Sequence, residues 1–209
     1  LQLHEETKEP FLRLPPPHSN IILTPPRVND EEISAIVSIL NVEKVTKWLQ
    51  GPPFPYKPEH AKYWLEENKQ STDAIIKEIE SKEPGYFIGG CPVRILREIT
   101  EDGREIFLGD CGIDAWGFEE IADQEERKRL VEENSKKEPG DPDKEWSFGD
   151  YLAPSHHGKG IMSLTIKTLL DQWIIPRMGA KKINATAFNG NIGSVRVFEK
   201  NGFVLEKTL

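Results

Sequence analysis

Two glycines, Gly158 and Gly160, lie between the end of a predicted strand and the start of a predicted helix. The strand ends at Leu152, and the helix begins near Met162, where apolar residues start to recur at helical spacing. The first amides of a helix have no partner within it, and the helix dipole makes this end positive. Because glycine has no side chain, an anion can approach its backbone closely. The segment predicts a pyrophosphate-binding loop; the alternative is a helix start with two flexible glycines.

Two other phosphate-binding patterns fit this loop less well. The dinucleotide pattern requires a third glycine three residues after the second, where the chain has Ser163. The nucleoside-triphosphate loop requires Ser or Thr after its Gly-Lys pair, whereas Lys159 is followed by Gly160. We therefore expect a loop that binds phosphate mainly through its backbone amides.

Three aspartates are candidates for a general base. Asp110 and Asp114 belong to one predicted strand, where their even spacing places both side chains on the same face. Asp150 lies near the end of a later strand, two residues before Leu152. Each of the three could instead have a purely structural role. His156 could relay a proton near neutral pH, or it could cap the following turn.

Composition and charge exclude several classes of protein. The chain has 209 residues and a formal net charge of −8, from 27 basic and 35 acidic side chains. A general nucleic-acid binder usually has the opposite balance, and no run of 18 apolar residues predicts a membrane span. Cys91 and Cys111 lack the spacing of a zinc site, so no metal is expected. Two buried, reduced cysteines and no visible signal segment favour a cytoplasmic or nuclear protein.

The chain is expected to fold as one domain with an N-terminal arm. Residues 1–20 are polar and broken by prolines, which is typical of an extended arm. No linker divides residues 21–209, so we expect a single domain there. Residues 117–145 are highly charged and predict a solvated helix and loop inserted in that domain.

Strands and helices alternate along the rest of the chain. The loop Gly51–Tyr56 contains three prolines and should be stiff; its aromatic residues either plug the core or form a wall of a cleft. Asp102-Gly103 predicts a hairpin turn, because such turns require a positive φ. Apolar runs predict strands at Ile21–Thr24, Tyr86–Ile88, Pro92–Glu98, Ile106–Trp116, Trp146–Leu152, Lys182–Phe188 and Phe203–Glu206, and helices that begin near Asn29 or Asp30, Val42, Pro58, Met162 and Ser194.

Two motifs in the C-terminal third resemble those of the GNAT acetyltransferase superfamily. The first family motif is Gln/Arg-x-x-Gly-x-Gly/Ala after a strand, and His157–Met162 is similar to it. The second is an asparagine, a short helix and then Gly-Phe, as in Asn191–Phe203. The order and the spacing of both motifs match.

Upstream residues resemble one branch of that superfamily, the bacterial acetyltransferases of ribosomal-protein N-termini. The similar features are the segment Val45–Leu49, the loop Phe54–Tyr56 and the Gly-x-x-Gly strand Leu108–Ile113. The resemblance covers roughly residues 20 to 209.

The resemblance implies an α/β (α+β) GNAT fold, with a central mixed, mostly antiparallel sheet flanked by helices and a splayed strand pair at the cofactor site. It implies direct transfer of acetyl from acetyl-CoA to a primary amine. The pyrophosphate would lie on the amides of His157–Met162, and the backbone amide of Leu152 would polarise the thioester carbonyl. The implied cofactor-binding residues are Leu152, His157, Gly158, Lys159, Gly160, Ile161, Met162, Asn191, Ser194 and Lys200.

Three positions depart from the family pattern. His157 replaces Gln or Arg, and Met162 replaces Gly or Ala. Phe198 stands where many members have a tyrosine that protonates the leaving thiolate, and phenylalanine has no proton to give. In the family a further strand follows the one at Phe203. We expect residues beyond Leu209 to supply it, with a neighbouring chain as the alternative.

Two functions remain open at this point. One is an acetyl-CoA-dependent N-acetyltransferase that acts on a protein N-terminus or a small amine. The other is a CoA-binding regulatory domain without catalysis. An α-amino group, with a pKa of about 8, needs less help from a base than lysine at about 10.4. The expected partners are acetyl-CoA and an amine, and the chain is expected to be a monomer or a homodimer.

Overall fold

A computed structural model of the chain describes residues 1–5 and 7–208. Glu6, in the predicted arm, and Leu209, at the end of the predicted domain, lie outside the described residues. Neighbouring strands of the sheet are antiparallel, except β6 and β7, which are parallel, and this confirms the mixed, mostly antiparallel sheet. Seven strands form the sheet in chain order: β1 (Gln2–Leu3), β2 (Pro10–Arg13), β3 (Ile21–Thr24), β4 (Ile95–Ile99), β5 (Glu105–Ala115), β6 (Glu145–Leu152) and β7 (Lys182–Ala185).

Helices pack on both faces of this sheet. The first one begins where expected, because the Asn29 side chain accepts a hydrogen bond from the Glu32 amide at 2.9 Å. In the described part of the chain, no helix has the length and apolar composition to cross a membrane. The helices are α1 (Asp30–Leu40), α2 (Glu43–Thr46), α3 (Pro58–Ser81), α4 (Gln124–Ser135), α5 (Ile161–Leu169), α6 (Ile175–Met178) and α7 (Ile192–Glu199), with a 3₁₀ turn at Pro154–His156 and a π turn at Leu170–Ile174.

Two of the predicted strands are wrong. Tyr86–Ile88 is a loop, and the Ile88 amide donates to the Arg177 carbonyl at 2.8 Å instead of to a strand. The predicted strand Phe203–Glu206 is irregular, because none of the described strands lies beside it to pair with. An apolar run becomes a strand only where a neighbouring strand satisfies its backbone groups.

The sheet separates two hydrophobic clusters. On one face of the sheet, the α5 face, buried side chains of α5 and the π turn, such as Ile166 and Trp173, pack against the strands. On the opposite face, the α3 face, buried residues of α1 and α3, such as Ile36 and Leu65, pack against the sheet. A side chain on a central strand therefore belongs to one of two environments.

A bulge in β5 changes which of its side chains reach the α3 face. Two consecutive residues of β4 pair with Phe107 and Gly109, so that Leu108 is the extra residue. Phe107 packs on the α3 face and Leu108 on the α5 face, and the extra residue then shifts the alternation of the side chains that follow. Asp110, three residues after Phe107, then faces α3.

Asn41, the residue after α1, holds the proline-rich loop. Its Nδ2 donates to the carbonyls of Val37 at 2.9 Å and Tyr56 at 2.8 Å, and its Oδ1 accepts from the Tyr56 amide at 2.9 Å. Tyr56 is buried as a result, whereas the Phe54 residue is 71% exposed. Of the two aromatic residues in this loop, only Tyr56 plugs the core.

Replacing Asn41 with alanine should destabilise the fold, because the loop then loses its tie to α1. Each hydrogen bond contributes about 0.5–1.5 kcal/mol, so we expect the free energy of unfolding in urea to fall by roughly 1–3 kcal/mol. Asn20→Ala is the control, since its side chain makes one exposed hydrogen bond, to Glu98. Equal losses for the two variants would contradict the assignment.

Candidate functional site

A cleft opens in the sheet where β6 and β7 separate. Their parallel pairing runs from Glu145 and Lys182 to Phe148 and Ala185. β6 continues to Leu152, while β7 ends. The last four residues of β6 therefore have no strand partner on the β7 side.

Leu152 directs its backbone polar groups into this cleft. The next amide, that of Ala153, donates to the Leu108 carbonyl of β5 at 2.7 Å. Neighbouring residues of an antiparallel strand alternate in direction, so the N–H and C=O of Leu152 point away from β5. The carbonyl accepts a hydrogen bond from His157 Nε2 at 2.7 Å. None of the described residues accepts from the N–H, which is left facing the cleft.

The glycine loop presents a row of free amides. Gly158 and Gly160 have φ angles of +74° and +80°, which residues other than glycine rarely adopt. A Cβ at either position would meet open space. Among the described residues, none accepts a hydrogen bond from the amides of residues 158–163. These donors at the N-terminus of α5 form a cradle open to an anion.

A histidine of the N-terminal arm fixes the loop. His18 Nε2 hydrogen-bonds the Lys159 carbonyl at 2.8 Å. The C=O and the N–H of one planar trans peptide point in opposite directions, so this bond turns the Gly160 amide outward from the arm. Sequence reasoning missed His18, because 141 positions separate it from its partner and no local pattern marks it.

The other predicted cofactor residues lie on the glycine loop, on α5 and on or next to α7. Asn191 caps α7, where its Oδ1 accepts from the Ser194 amide at 3.2 Å, and both residues are half-buried. Lys159 and Lys200 are exposed. Ile161 is buried in the first turn of α5 and contributes its amide to the cradle.

Two of the departures from the family pattern have a packing role. Met162 is buried in the core beneath the loop. Phe198 is also buried and lies against Phe203 and Phe148, with ring centroids 5.2 and 6.3 Å away. Neither side chain carries a group that could transfer a proton.

A cavity of about 200 Å³ lies on the α3 face and reaches β6 beside the cleft. Apolar and aromatic side chains of α1, α3 and the loops between them form most of its wall. Asp110 and Arg94 add charged side chains, and β6 borders the cavity at Gly149–Tyr151. It is lined by Leu40, Leu49, Pro52, Tyr56, Trp64, Arg94, Asp110, Gly149, Asp150 and Tyr151.

Arg94 is held by acidic and aromatic partners at the cavity wall. Its Nε and Nη2 donate to the two carboxylate oxygens of Asp110 at 2.7 and 3.0 Å. Its guanidinium carbon lies 5.4 Å from the Trp64 ring centroid, its Nη1 donates to Asn68, and Asp114 is 3.5 Å from the same nitrogen. Burial raises the pKa of Asp110, and the Arg94 charge opposes that rise.

The three candidate aspartates fall in different places. Asp110 is buried and bound to Arg94, and Asp114 is exposed on the same face. Asp150 pairs with Cys111 across β5 and β6, in the part of β6 that borders the cleft. Burial, with a smaller contribution from the negative charge of Asp110, raises the pKa of Asp150 to about 7. Asp150 and Leu152 are thus brought together at the cleft.

The family model "Acetyltransferase (GNAT) domain" matches residues 20–204. The chain belongs to the GNAT acetyltransferase family. Within the described ranges, no group of three or more His, Cys, Asp or Glu side chains is arranged to hold a metal ion.

Solved structures of several acetyltransferases share the fold. The ribosomal L7/L12 alpha-N-protein acetyltransferase RimL is 15% identical, with a TM-score of 0.59 over 99% of this chain and 87% of that one. A GNAT-family acetyltransferase from Bacillus anthracis is 16% identical, with a TM-score of 0.55 over 92% and 82%. The aminoglycoside acetyltransferase AAC(6')-Ib, solved with coenzyme A, is 16% identical, with a TM-score of 0.51 over 88% and 85%. No curated protein sequence matches the chain.

The raised pKa of Asp150 gives a testable stability profile. The folded protein keeps the proton up to about pH 7, whereas an unfolded aspartate loses it near 3.9. The folded state therefore binds more protons between these values, and stability should fall as pH rises from about 4 to 7. Asp150→Asn should remove this component of the decline, measured by urea unfolding at several pH values. A slope unchanged from wild type would show that Asp150 has an ordinary pKa.

Proposed function

We propose that the chain is an acetyl-CoA-dependent N-acetyltransferase that acts on a primary amine. The observation that carries the proposal is the pair of groups on β6 at the cleft: the unpaired amide of Leu152 and the carboxyl of Asp150, with its pKa of about 7. A domain that only bound the cofactor would need the glycine cradle but neither of these. The two buried, free cysteines suit a cytoplasmic or nuclear location, which we include in the proposal.

The glycine loop has the properties that a diphosphate requires. Six consecutive amides, of residues 158–163, have no acceptor among the described residues, and the two glycines leave the approach open. In a chain of net charge −8, oriented amides attract an anion where overall charge does not. We assign the diphosphate of acetyl-CoA to this cradle, with Lys159 and Lys200 as exposed cations nearby and Asn191 and Ser194 along the cofactor arm.

Acetyl-CoA, when bound, supplies the acetyl group as a thioester. Leu152 would then donate its amide hydrogen to the thioester carbonyl oxygen, where negative charge develops as the amine attacks. His157 already hydrogen-bonds the Leu152 carbonyl, so this acceptor does not compete for the incoming ammonium. Holding amine and thioester together in one cleft supplies much of the rate enhancement.

Asp150 is our candidate for the general base. It accepts one proton from the substrate ammonium, and the neutral amine can then form the C–N bond. As the C–S bond breaks, a second proton passes from nitrogen to the departing thiolate, and Asp150 returns its proton to solvent. No protein acid is required in this scheme, which agrees with a phenylalanine at position 198. Asp110 is bound to Arg94 and is less suited to accept a proton.

Gly160→Glu should abolish cofactor binding. The new carboxylate repels the diphosphate from the cradle, and a side chain at this positive φ strains the loop. We expect the Kd for CoA, measured by calorimetry, to rise by at least about 100-fold, as several charge-assisted hydrogen bonds are lost. Gly103→Glu is the matched control, since Gly103 has a φ of +82° in open space at the β4–β5 hairpin. Retained affinity in Gly160→Glu would place the cofactor elsewhere.

Asp150→Asn should lower kcat by about 10²-fold or more, since a general base contributes on that scale. In the wild type, kcat should fall as pH drops below about 7, because protonated Asp150 cannot accept a proton. The variant should lose this acidic limb while its Kd for CoA stays unchanged. Asp114→Asn, on the exposed carboxylate, should keep both the rate and the limb. CoA binding without thiol release from any amine would instead favour a regulatory CoA-binding domain.

A further inference from the structure

The cavity on the α3 face lies where an acceptor amine can approach the cleft. Its role as an acceptor pocket rests on the proposed acetyl transfer. Its inner end is formed by Gly149, Asp150 and Tyr151 of β6, which directly precede Leu152. The glycine loop lies beyond Leu152, next to α5. An amine in the cavity therefore reaches the cleft along β6, from the part of the strand that precedes the cofactor cradle.

The size and the walls of the cavity favour a compact apolar group. An apolar protein cavity of about 150 Å³ binds benzene, so about 200 Å³ holds one ring with a short alkyl tether. Leu40, Leu49 and Pro52 supply aliphatic walls, and Trp64 supplies an aromatic one. A long polar or polycationic acceptor would place groups that need water against these side chains.

The charges in the cavity favour a cation and disfavour a carboxylate. Among the described lining residues Arg94 is the cation. Three of its N–H groups donate to Asp110 and Asn68, and Asp114 lies 3.5 Å from its Nη1, so its charge is already neutralised. A substrate carboxylate would find no free cation there and would face Asp110. The carboxylates of Asp110 and Asp114 outnumber the one charge of Arg94, so an ammonium ion without a neighbouring carboxylate meets net attraction.

The Tyr151 hydroxyl supplies an independent indication that a polar group belongs here. Its oxygen is buried and has no hydrogen-bond partner among the described residues. Tyr151 pairs with Asp110 across β5 and β6, so both side chains lie on the α3 face at the cavity wall. Burial raises the pKa of Tyr151, so the hydroxyl is neutral near pH 7 and can accept a hydrogen bond from an ammonium ion.

We propose that this cavity selects, as acceptor, a primary amine on a compact apolar body about the size of one aromatic ring with a short tether, and excludes amines that carry a neighbouring carboxylate. The Tyr151 hydroxyl accepts one hydrogen bond of the bound ammonium. The class of substrate is thus an arylalkylamine or a similar apolar monoamine. Free amino acids, polyamines and peptide N-termini lie outside it.

A matched series of amines tests the selection, with CoA thiol release as the readout. Phenylethylamine and phenylalanine differ by the carboxylate, and phenylalaninamide separates the effect of charge from that of size. We expect kcat/KM for phenylethylamine to exceed that for phenylalanine by at least about 100-fold, with the amide between them. Equal values for the amine and the amino acid, or a preference for spermidine or the tripeptide Phe-Gly-Gly, would overturn the proposal.

Calorimetry separates this inference from the proposed function. Phenylethylamine is titrated into the protein saturated with CoA, and phenylalanine is titrated in parallel. Selective binding of phenylethylamine without any thiol release would support the selection and refute catalysis. Thiol release from other amines, with no preference for apolar monoamines, would refute the selection and support catalysis.

Two variants test whether the cavity determines which amine is acetylated. Leu49→Trp fills it and should raise the KM for phenylethylamine at least ten-fold, with the KM for acetyl-CoA within two-fold of wild type. Tyr151→Phe removes only the hydroxyl and should raise the same KM about five- to ten-fold. Phe54→Leu is the control, because this exposed side chain of the same loop does not line the cavity. An unchanged amine KM in both variants would refute the assignment.

Discussion

The separation of β6 from β7 is the constraint on which the site depends. A paired strand uses its backbone groups within the sheet, and those groups are then unable to bind a ligand. Because the pairing ends at Phe148 and Ala185, β6 keeps four residues whose edge is free. The fold can leave this edge unpaired because the opposite edge of β6 remains bonded to β5 as far as Leu152. The backbone that we propose polarises the thioester is therefore paired on one side and open on the other.

The sheet also divides the two binding tasks between its faces. The proposed cofactor cradle belongs to α5 and packs on one hydrophobic cluster. The proposed acceptor cavity belongs to α1, α3 and the proline-rich loop, which pack on the other cluster. The two faces meet at the cleft, in the part of β6 that carries Asp150. A change in the acceptor walls can therefore alter substrate choice with little effect on the cradle. Asn41 holds the proline-rich loop on the acceptor side, and the bulge at Leu108 places Asp110 there.

Local signals made most of the fold and the cradle predictable. The hairpin turn at Asp102-Gly103, the helix cap at Asn29 and the glycine loop before α5 are read within a few residues, and the structure has each of these features. What could not be predicted depends on pairing between distant segments. The sequence carries no mark of the extra residue Leu108, which turns Asp110 toward α3, nor of the role of Arg94. The predicted strand at 203–206 had the right composition but no described neighbour to pair with.

The contact between His18 and Lys159 joins the first residues of the chain to the loop that forms the cradle. A ligand that orders the loop therefore also orders the arm, and an ordered arm favours binding of the ligand by the same coupling free energy. Occupancy of the cradle is thereby linked to the ordering of a segment that touches no substrate. Protease cleavage within the β2–β3 connection would then report on how much of the cradle is filled, without any observation of the reaction itself.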